Sequence, residues 1–509
     1  MTNGAQNTTL AFTLVVVLAI IAAFSFQGSR GLYETTEGRY AEAAREMVET
    51  GKYLVPTLDY QPHWTKPPLA YWGVAAGIIL FGQSEWGIRF SNSLAFFLTI
   101  ITVIILGSLL WEQRVGLIAG LIYLSSPFPF FGANAISTDT LLTLWEVLAV
   151  LCYVKAYRVD AWKPKTMWVT VMWFIFGLGF LTKGPPSLLP LIPLIVWNYS
   201  RKNKVSLFKG FGVPLFLLTG FSWFILVSIQ NPHLVNYFLK TEVVDRVSST
   251  AVHNPEWYSP FTIYLPVLLA GQGAWLYFCA RVFWRCIRSG PKRVIAFVRD
   301  NEEVFFMFLW ITIPLLIFSI SRSRLELYVL PLYAPFALLV ACWISRYEGI
   351  AWKRLATIAV VSVVLLAGFK ASIAFFPNRN NMKQVYQMGM EAGSRSAEYF
   401  VFEEDRLYGM QYYLNGIMQR VTQTGRESWA DTSIDDLLSS LRSEKMATEY
   451  LILSSRKKAP RIENALSDPD LDVQKTENKH WIWYRVSKKK PITAFKISNE
   501  TSFFSAFSA

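Results

Sequence analysis

Residues 93–110 read SLAFFLTIITVIILGSLL, a run without a single charged side chain. A helix of this length approaches the ~20 residues that cross a ~30 Å hydrocarbon layer. Similar runs recur along the chain at 12–25, 115–130, 140–154, 167–181, 210–228, 260–280, 304–320, 325–343 and 354–375. The core of a soluble protein does not repeat such a pattern ten times, so the sequence predicts a polytopic α-helical membrane protein.

The positive charge of the chain is concentrated in the short loops between these runs. The formal net charge is +13, but residues 377–509 hold 19 Lys and Arg against 17 Asp and Glu, which leaves +11 for the first 376 residues. Excess Lys and Arg in short loops marks the cytoplasmic side of a membrane protein. The basic charge therefore indicates topology, and no nucleic-acid partner is predicted.

Placing every basic loop on the cytoplasmic side restricts how many of the apolar runs can cross the membrane. Residues 69–82 are too short to span, and we interpret them as an interfacial or re-entrant helix. Adding a short span at 184–198 gives about eleven crossings, within a range of 11–13 transmembrane helices. The segments then predicted outside are 28–90, 132–139, 182–184, 229–259, 321–324 and the C-terminal region.

The composition changes after residue 377, where short β-rich runs at 399–402, 450–453 and 481–486 alternate with helical stretches near 411–414 and at 434–441. We predict a membrane-embedded domain over 1–376, with interfacial helices in the first outer loop at 28–90. Residues 377–509 are predicted to form a small extracytoplasmic α/β domain.

The predicted outer segments gather a mixed set of charged residues. The cations are Arg39, Lys66, Lys183, Arg246, Arg322 and Arg324, and the carboxylates are Glu34, Glu37 and Asp139. Transfer of a sugar from a lipid-linked phosphosugar needs cations on the leaving phosphate. It also needs a carboxylate that takes the acceptor proton from the opposite face of the sugar. This geometry would make the reaction an inverting single displacement.

Several of these residues also have a plain structural explanation. Glu37 could favour the positive end of a helix dipole, and Lys66 could be an interfacial lysine beside an aromatic residue. Asp139 could belong to a helix cap, and Lys183 could snorkel from the end of a span.

Four sequence blocks resemble a known family. They are 37–47 (EGRYAEAAREM), 66–72 (KPPLAYW), 177–185 (GLGFLTKGP) and 323–331 (SRLELYVLP). They resemble the aminoarabinose (lipid A) transferases, which belong with the protein O-mannosyltransferases among the membrane-embedded GT-C glycosyltransferases.

The resemblance implies a GT-C fold and a polyprenyl-phosphate sugar as donor. The acceptor would be lipid A, another glycan or a protein. By position it implies that Arg39, Lys66 and Tyr328 meet the lipid phosphate, with Arg246 aligned more loosely. It also implies that Asp139 lies in the active site. We add Lys183 and Arg324 to the phosphate ligands because they are outer cations within the matching blocks.

The sequence departs from the family pattern at two positions. Thr36 stands where the family usually has its catalytic aspartate, so Glu37 or Glu34 is predicted to supply the base instead. Thr65 stands where some members place a metal ligand, so no cofactor is predicted and a divalent metal is not supported.

Two other functions are compatible with apolar spans and outer cations. A transporter or flippase of polyprenyl-linked sugars would carry polar residues and internal repeats near mid-membrane. Of these the sequence has little beyond Glu146. An enzyme of the O-antigen-ligase type would use a diphosphate donor. We expect a glycosyltransferase of the bacterial inner membrane whose active site faces the periplasm, among membrane lipids.

Overall fold

The computed structural model describes residues 2–201, 204–244, 253–393, 397–425, 431–443 and 449–489. The chain divides into two compact units. The first contains Met1–Lys383 and Tyr408–Asn415, and the second contains Gln384–Leu407 and Gly416–Ala509.

The first unit is almost wholly helical. Its helices are α1 (Thr2–Phe24), α2 (Thr36–Thr50), α3 (Leu69–Phe81), α4 (Glu85–Leu110), α5 (Gln113–Ser125), α6 (Pro127–Gly132), α7 (Thr138–Arg158), α8 (Trp162–Lys183), α9 (Leu191–Ser200), α10 (Gly212–Gln230), α11 (His233–Asn236), α12 (Leu265–Ala270), α13 (Leu276–Ser289), α14 (Pro291–Asp300), α15 (Glu302–Ile320), α16 (Tyr333–Trp343) and α17 (Trp352–Ser372). A 3₁₀ segment, Glu326–Leu332, precedes α16, and a small hairpin of β1 (Thr57–Leu58) and β2 (Gln61–Pro62) lies between α2 and α3.

Within the described residues, seven helical stretches are long and apolar enough to cross a membrane. They are Glu85–Leu110, Thr138–Arg158, Trp162–Lys183, Gly212–Gln230, Glu302–Ile320, Glu326–Glu348 and Trp352–Phe375. An eighth arises if Pro260–Ala270 and Gly273–Ser289, which meet at a bend of 94°, form one span. The prediction of a polytopic helical membrane protein is confirmed, whereas a number of crossings above eight stays a prediction.

The outer surface of these helices is apolar, as a surface that faces lipid must be. Leu218, Ile229 and Leu365 are each exposed over more than two thirds of their surface, which water would disfavour. The interior instead holds tightly packed aromatic and aliphatic side chains, including a stacked pair of Trp197 and Phe306 with ring centroids 4.4 Å apart.

The first loop region contains two short helices, as expected for 28–90. Helix α2 buries the apolar stripe Tyr40, Ala44 and Met47 against its surroundings. It ends at Gly51, whose φ of 70° places it in the left-handed conformation that glycine adopts at little cost. Helix α3 covers only 13 residues, which agrees with the length that predicted a helix too short to span.

The second unit is a small α/β domain, and this part of the predicted fold class is confirmed. Its strands are β3 (Glu398–Phe402), β4 (Gln419–Thr422), β5 (Asp431–Ser433), β6 (Glu449–Ser455), β7 (Leu471–Glu477) and β8 (Trp481–Lys488). They form one sheet in the order β5-β4-β3-β6-β8-β7. Strands β3 to β6 pair in parallel, and β8 pairs antiparallel with β6 and β7.

Residues 408–415 do not belong to this α/β unit, although they lie between two of its strands. Their helix, Tyr408–Leu414, is part of the first unit. The amide of Gln411 donates to the carboxylate of Asp59 at 2.8 Å, and the hydroxyl of Tyr413 accepts from the backbone of Leu32 at 2.9 Å. We call this segment the returning helix, because it packs onto the first loop region.

Candidate active site

A close group of three predicted site residues lies where α7 begins and α8 ends. Helices α7 and α8 are joined by residues 159–161 and pack side by side, so the start of one adjoins the end of the other. The ammonium of Lys183, the last residue of α8, pairs with the carboxylate of Asp139 in the first turn of α7. The same ammonium lies 4.5 Å from the ring centroid of Tyr328. We call Asp139, Lys183 and Tyr328 the Asp139 centre.

The contacts of the Asp139 centre bear on two purely structural explanations, a helix cap for Asp139 and a snorkelling side chain for Lys183. Ser137 caps α7, because its hydroxyl accepts the backbone N–H of Asp139 at 3.3 Å. Lys183 does not snorkel away from the protein, since its side chain is only 10% exposed. An ion pair buried to this degree is costly to desolvate, which marks the position as one where charge has a role.

Glu37 forms a second cluster near the start of α2. Its carboxylate accepts two hydrogen bonds from Arg30, two from Arg89, and one each from the backbone N–H groups of Tyr33 and Ile136. All of these bonds are 2.5–3.2 Å long. We call Glu37, Arg30 and Arg89 the Glu37 network.

The charge state of Glu37 follows from these contacts. Burial alone would raise the pKa of Glu37, but the charges and hydrogen bonds of Arg30 and Arg89 outweigh burial and lower it to about 2. A carboxylate held ionised with every lone pair engaged is a weak proton acceptor. Through the backbone of Ile136, the network instead fixes the segment that leads into Asp139.

Glu34 lies between α2 and the returning helix. Its Oε1 accepts the backbone N–H of Gly409 at 2.5 Å, whereas its Oε2 is buried and has no hydrogen-bond partner among the described residues. A Cβ at Gly38 would stand 2.8 Å from Oε2, so only glycine leaves room for the carboxylate there. Burial raises the pKa of Glu34 to about 8, against the N–H groups of Gly409 and Met410 and the charge of Arg39.

The predicted phosphate ligands Arg39, Lys66 and Arg246 come from other segments of the sequence. Arg39 is half-buried on the first turn of α2 and is electrostatically coupled to Glu34. Lys66 is half-buried in the loop that precedes α3. Arg246 lies outside the described residues, so its prediction is not addressed by the structure.

Arg324 is engaged by backbone carbonyls. Its guanidinium donates to the carbonyl oxygens of Asn254, Glu256 and Ser319 at 2.8–2.9 Å, and its side chain is buried. These contacts join the end of α15 to the loop at 253–259. Arg324 therefore has the contacts of a residue that positions this loop, four residues before Tyr328.

The residues near Thr65 do not fit a metal site. The hydroxyl of Thr65 lies 2.6 Å from Nε2 of His63, and a threonine hydroxyl is a poor ligand beside the carboxylates and imidazoles that bind divalent ions. Over the described ranges, no group of three or more His, Cys, Asp or Glu side chains is placed to hold a metal ion.

Sequence reasoning did not single out Arg30, Arg89 or Tyr264. The two arginines complete the Glu37 network, and each adjoins an apolar span, where a charge signals a specific partner. Tyr264 is 1% exposed, and its hydroxyl has no hydrogen-bond partner in the described part of the chain.

One family model matches part of the first unit of the chain. Residues 65–227 match the family described as dolichyl-phosphate-mannose-protein mannosyltransferase. This match includes Lys66, Asp139 and Lys183.

Curated relatives are about 30% identical to this chain within the aligned region. The undecaprenyl phosphate-alpha-4-amino-4-deoxy-L-arabinose arabinosyl transferase of Pectobacterium atrosepticum is 30% identical over 351 residues, which are 68% of this chain and 61% of that protein. The enzyme of the same name from Pectobacterium carotovorum subsp. carotovorum is 31% identical over 344 residues, 66% of this chain and 59% of that protein. The matched region thus spans about 60% of the length of these relatives.

Solved structures share the fold over nearly the whole chain. ArnT from Cupriavidus metallidurans in the apo state aligns with a TM-score of 0.75 at 18% identity, covering 94% of this chain and 98% of that one. The crystal structure of the same protein bound to undecaprenyl phosphate aligns with a TM-score of 0.74 at 18% identity, covering 93% and 97% of the two chains.

Proposed function

We propose that this chain is a GT-C glycosyltransferase of the family that contains the aminoarabinose transferases, and that it transfers a glycosyl group from a polyprenyl-phosphate-linked sugar to an acceptor at the membrane surface. The acceptor is a lipid such as lipid A, another glycan or a protein. The reaction takes place on the periplasmic face of the bacterial inner membrane, the side opposite the basic loops.

The observation that carries this proposal is the Asp139 centre. A carboxylate, a cation and a phenol are brought together at the ends of three different helical segments, although they are far apart in sequence. Such a group is expensive to build within a membrane protein unless its charges are used. It combines a cation for an anionic leaving group with a candidate proton acceptor, which is what glycosyl transfer from a phosphate donor requires.

Lys183 is proposed to bind the donor phosphate together with Arg39, Lys66 and Tyr328. Lysine contacts a phosphate as a compact charge, and tyrosine adds a neutral hydrogen-bond donor. As the bond between the sugar and the phosphate breaks, negative charge grows on the phosphate. Cations fixed in place then stabilise the transition state more than the ground state. Arg246 is proposed as a further ligand, and Arg324 is proposed to hold the adjoining loop.

Asp139 is proposed to take the proton of the acceptor as the new glycosidic bond forms on the opposite face of the sugar. Glu34 is the second candidate, because its raised pKa and its unpaired Oε2 suit a group that exchanges protons near neutral pH. Glu37 is given a positioning role, since its carboxylate is held ionised by Arg30 and Arg89. The transition state would be oxocarbenium-like, by analogy with glycoside hydrolysis.

The proposed function also assigns a role to each part of the chain. We propose that residues 1–376 form the catalytic membrane domain and that residues 377–509 form an extracytoplasmic domain. The returning helix contributes to the catalytic part through Glu34.

The proposed function is tested by mass spectrometry of the glycolipids and glycoproteins of the cell envelope. Cells that lack the protein should lose one sugar modification that is present in the wild type. Complementation with the wild-type gene should restore it, and complementation with a Lys183→Met variant of normal abundance should not. An envelope without any glycan difference under conditions where the protein is produced would contradict the proposal.

A further inference from the structure

A second cluster of basic residues lies on α13, and none of the three residues of the Asp139 centre belongs to it. A cavity of about 740 Å³ opens there, and its lining includes Arg281, Trp284, Arg285, Arg288, Trp343 and Glu348. We call it the arginine cleft. Its volume falls within the ~300–1,000 Å³ typical of small-molecule sites.

The positive charge of the arginine cleft is mostly uncompensated. Arg281 pairs with Glu348 at 3.1 Å, which accounts for the one acidic residue of the lining. Among the described residues, neither Arg285 nor Arg288 has an acidic partner or a hydrogen-bond acceptor. Arg285 instead lies over the rings of Trp343 and Tyr347, at 5.2 and 4.8 Å from their centroids.

Arg288 is held in the same manner, 5.1 Å from the ring centroid of Trp284. Stacking on an aromatic ring occupies one face of a guanidinium and leaves its five in-plane N–H donors available. Two guanidinium groups oriented in this way around a cavity form a site for a phosphate, which they can bind through paired hydrogen bonds.

The helix that carries the arginines is suited to the boundary between lipid and water. The stretch Gly273–Ser289 turns by 94° from Pro260–Ala270. Its arginines belong to the basic loops, which the excess of Lys and Arg places on the cytoplasmic side of the membrane. Phe283 is 67% exposed and Ile287 is 55% exposed. These two side chains are four residues apart and form an outward apolar stripe beside the stripe of Arg281, Arg285 and Arg288.

We propose that the arginine cleft binds the phosphate headgroup of an anionic glycerophospholipid, such as phosphatidylglycerol, from the leaflet on the side of the basic loops. Arg285 and Arg288 hold the phosphate, and Phe283 and Ile287 lie among the acyl chains. The charge of the cleft selects an anion, and the adjoining apolar stripe selects a lipid over free phosphate. This site is separate from the proposed sugar transfer and does not depend on it.

The test is native mass spectrometry of the purified full-length protein in a neutral detergent, titrated with phosphatidylglycerol. The wild type should retain at least one phosphatidylglycerol, and phosphatidylcholine should bind at least tenfold more weakly. The Arg285→Gln/Arg288→Gln variant should lose at least tenfold in affinity, because each charge-assisted hydrogen bond that disappears is worth about tenfold.

A matched control removes the same charge from the neighbouring helix α14. Lys292→Gln/Arg293→Gln changes two basic residues that do not line the cavity, and phosphatidylglycerol affinity should remain within twofold of wild type. Excess inorganic phosphate should not displace the lipid. The proposal is overturned if the arginine variant binds phosphatidylglycerol like the wild type, or if the control variant loses as much affinity. It is also overturned if inorganic phosphate displaces the lipid, or if phosphatidylcholine binds as well as phosphatidylglycerol.

Discussion

Replacing Glu37 by glutamine should destabilise the protein strongly, because Glu37 is the single carboxylate of the Glu37 network. The side chain of Arg89 is fully buried, and that of Arg30 is 6% exposed. Glutamine keeps the size of the side chain but removes its charge, and its amide NH₂ would face guanidinium donors. Arg30 and Arg89 would then be buried without the negative charge of Glu37.

The magnitude follows from measured costs of breaking buried ion pairs. Removing one partner of such a pair costs about 3–5 kcal/mol, since the remaining charge is left desolvated. We expect Glu37→Gln to lower the free energy of unfolding by at least ~3 kcal/mol. Two guanidinium groups lose their partner at once, but both retain backbone carbonyl acceptors, such as Gly31 for Arg89.

The assay is thermal unfolding of the purified protein in detergent, in which the fraction of protein that remains monodisperse is measured at each temperature. It should be run at pH 7, because the pKa of about 2 keeps Glu37 ionised throughout the usual range. The control is Glu49→Gln, which removes a carboxylate from a half-exposed pair with Arg45 at 2.7 Å. Such pairs contribute only ~0–1 kcal/mol. Equal melting temperatures of Glu37→Gln and wild type would refute the structural role of the Glu37 network.

Three further predictions concern the candidate site. Asp139→Asn should lower sugar transfer by at least ~100-fold in membranes that hold normal amounts of the protein, and near-normal turnover would remove Asp139 from the mechanism. Lys66→Ala should weaken donor binding by about tenfold, and unchanged affinity in a purified system would count against contact with the phosphate. Glu34→Gln should change how the melting temperature depends on pH. Burial raises the pKa of Glu34 from 4.5 to about 8, so the folded state holds its proton between these values and loses stability as pH rises toward 8. The variant should match the wild type near pH 5 and exceed it near pH 9, and a difference independent of pH would contradict the raised pKa.

The transmembrane architecture was predictable because hydrophobicity is a local property. The composition of each apolar run, such as 93–110, is by itself enough to predict that the run is buried in lipid or protein. The short α3 was recognised for the same reason, since its length alone distinguishes it from a span. The strands β3, β6 and β8 were visible as β-rich runs, because side-chain type at successive positions indicates a sheet.

Tertiary pairing could not be predicted in this way. Arg89 lies 52 residues from Glu37, and nothing in either segment indicates that the two side chains meet. The same holds for Glu34 and Gly409, which are separated by 375 residues and joined by one hydrogen bond. For this reason Glu37 could be predicted as a base from its position, while its engagement with two arginines became visible only in the structure.

Asp139 and Lys183 represent an intermediate case. Both were identified separately as charges at the ends of apolar helices, where an unpaired charge is costly. Their pairing follows from the antiparallel packing of α7 and α8, which the short connection at 159–161 imposes. The sequence therefore indicated the residues of the centre, and the structure added the contacts among Asp139, Lys183 and Tyr328.

The most direct test of the central claim measures binding of undecaprenyl phosphate to the purified protein. The variant Lys183→Gln/Asp139→Asn replaces the charged pair by a neutral pair of similar shape, so neither side chain is left as an unpaired buried charge. Wild type should bind the lipid phosphate, and the double variant should bind at least tenfold more weakly while keeping the melting temperature within a few degrees. Equal affinity of the two proteins would contradict the assignment of the Asp139 centre as the site of the donor phosphate.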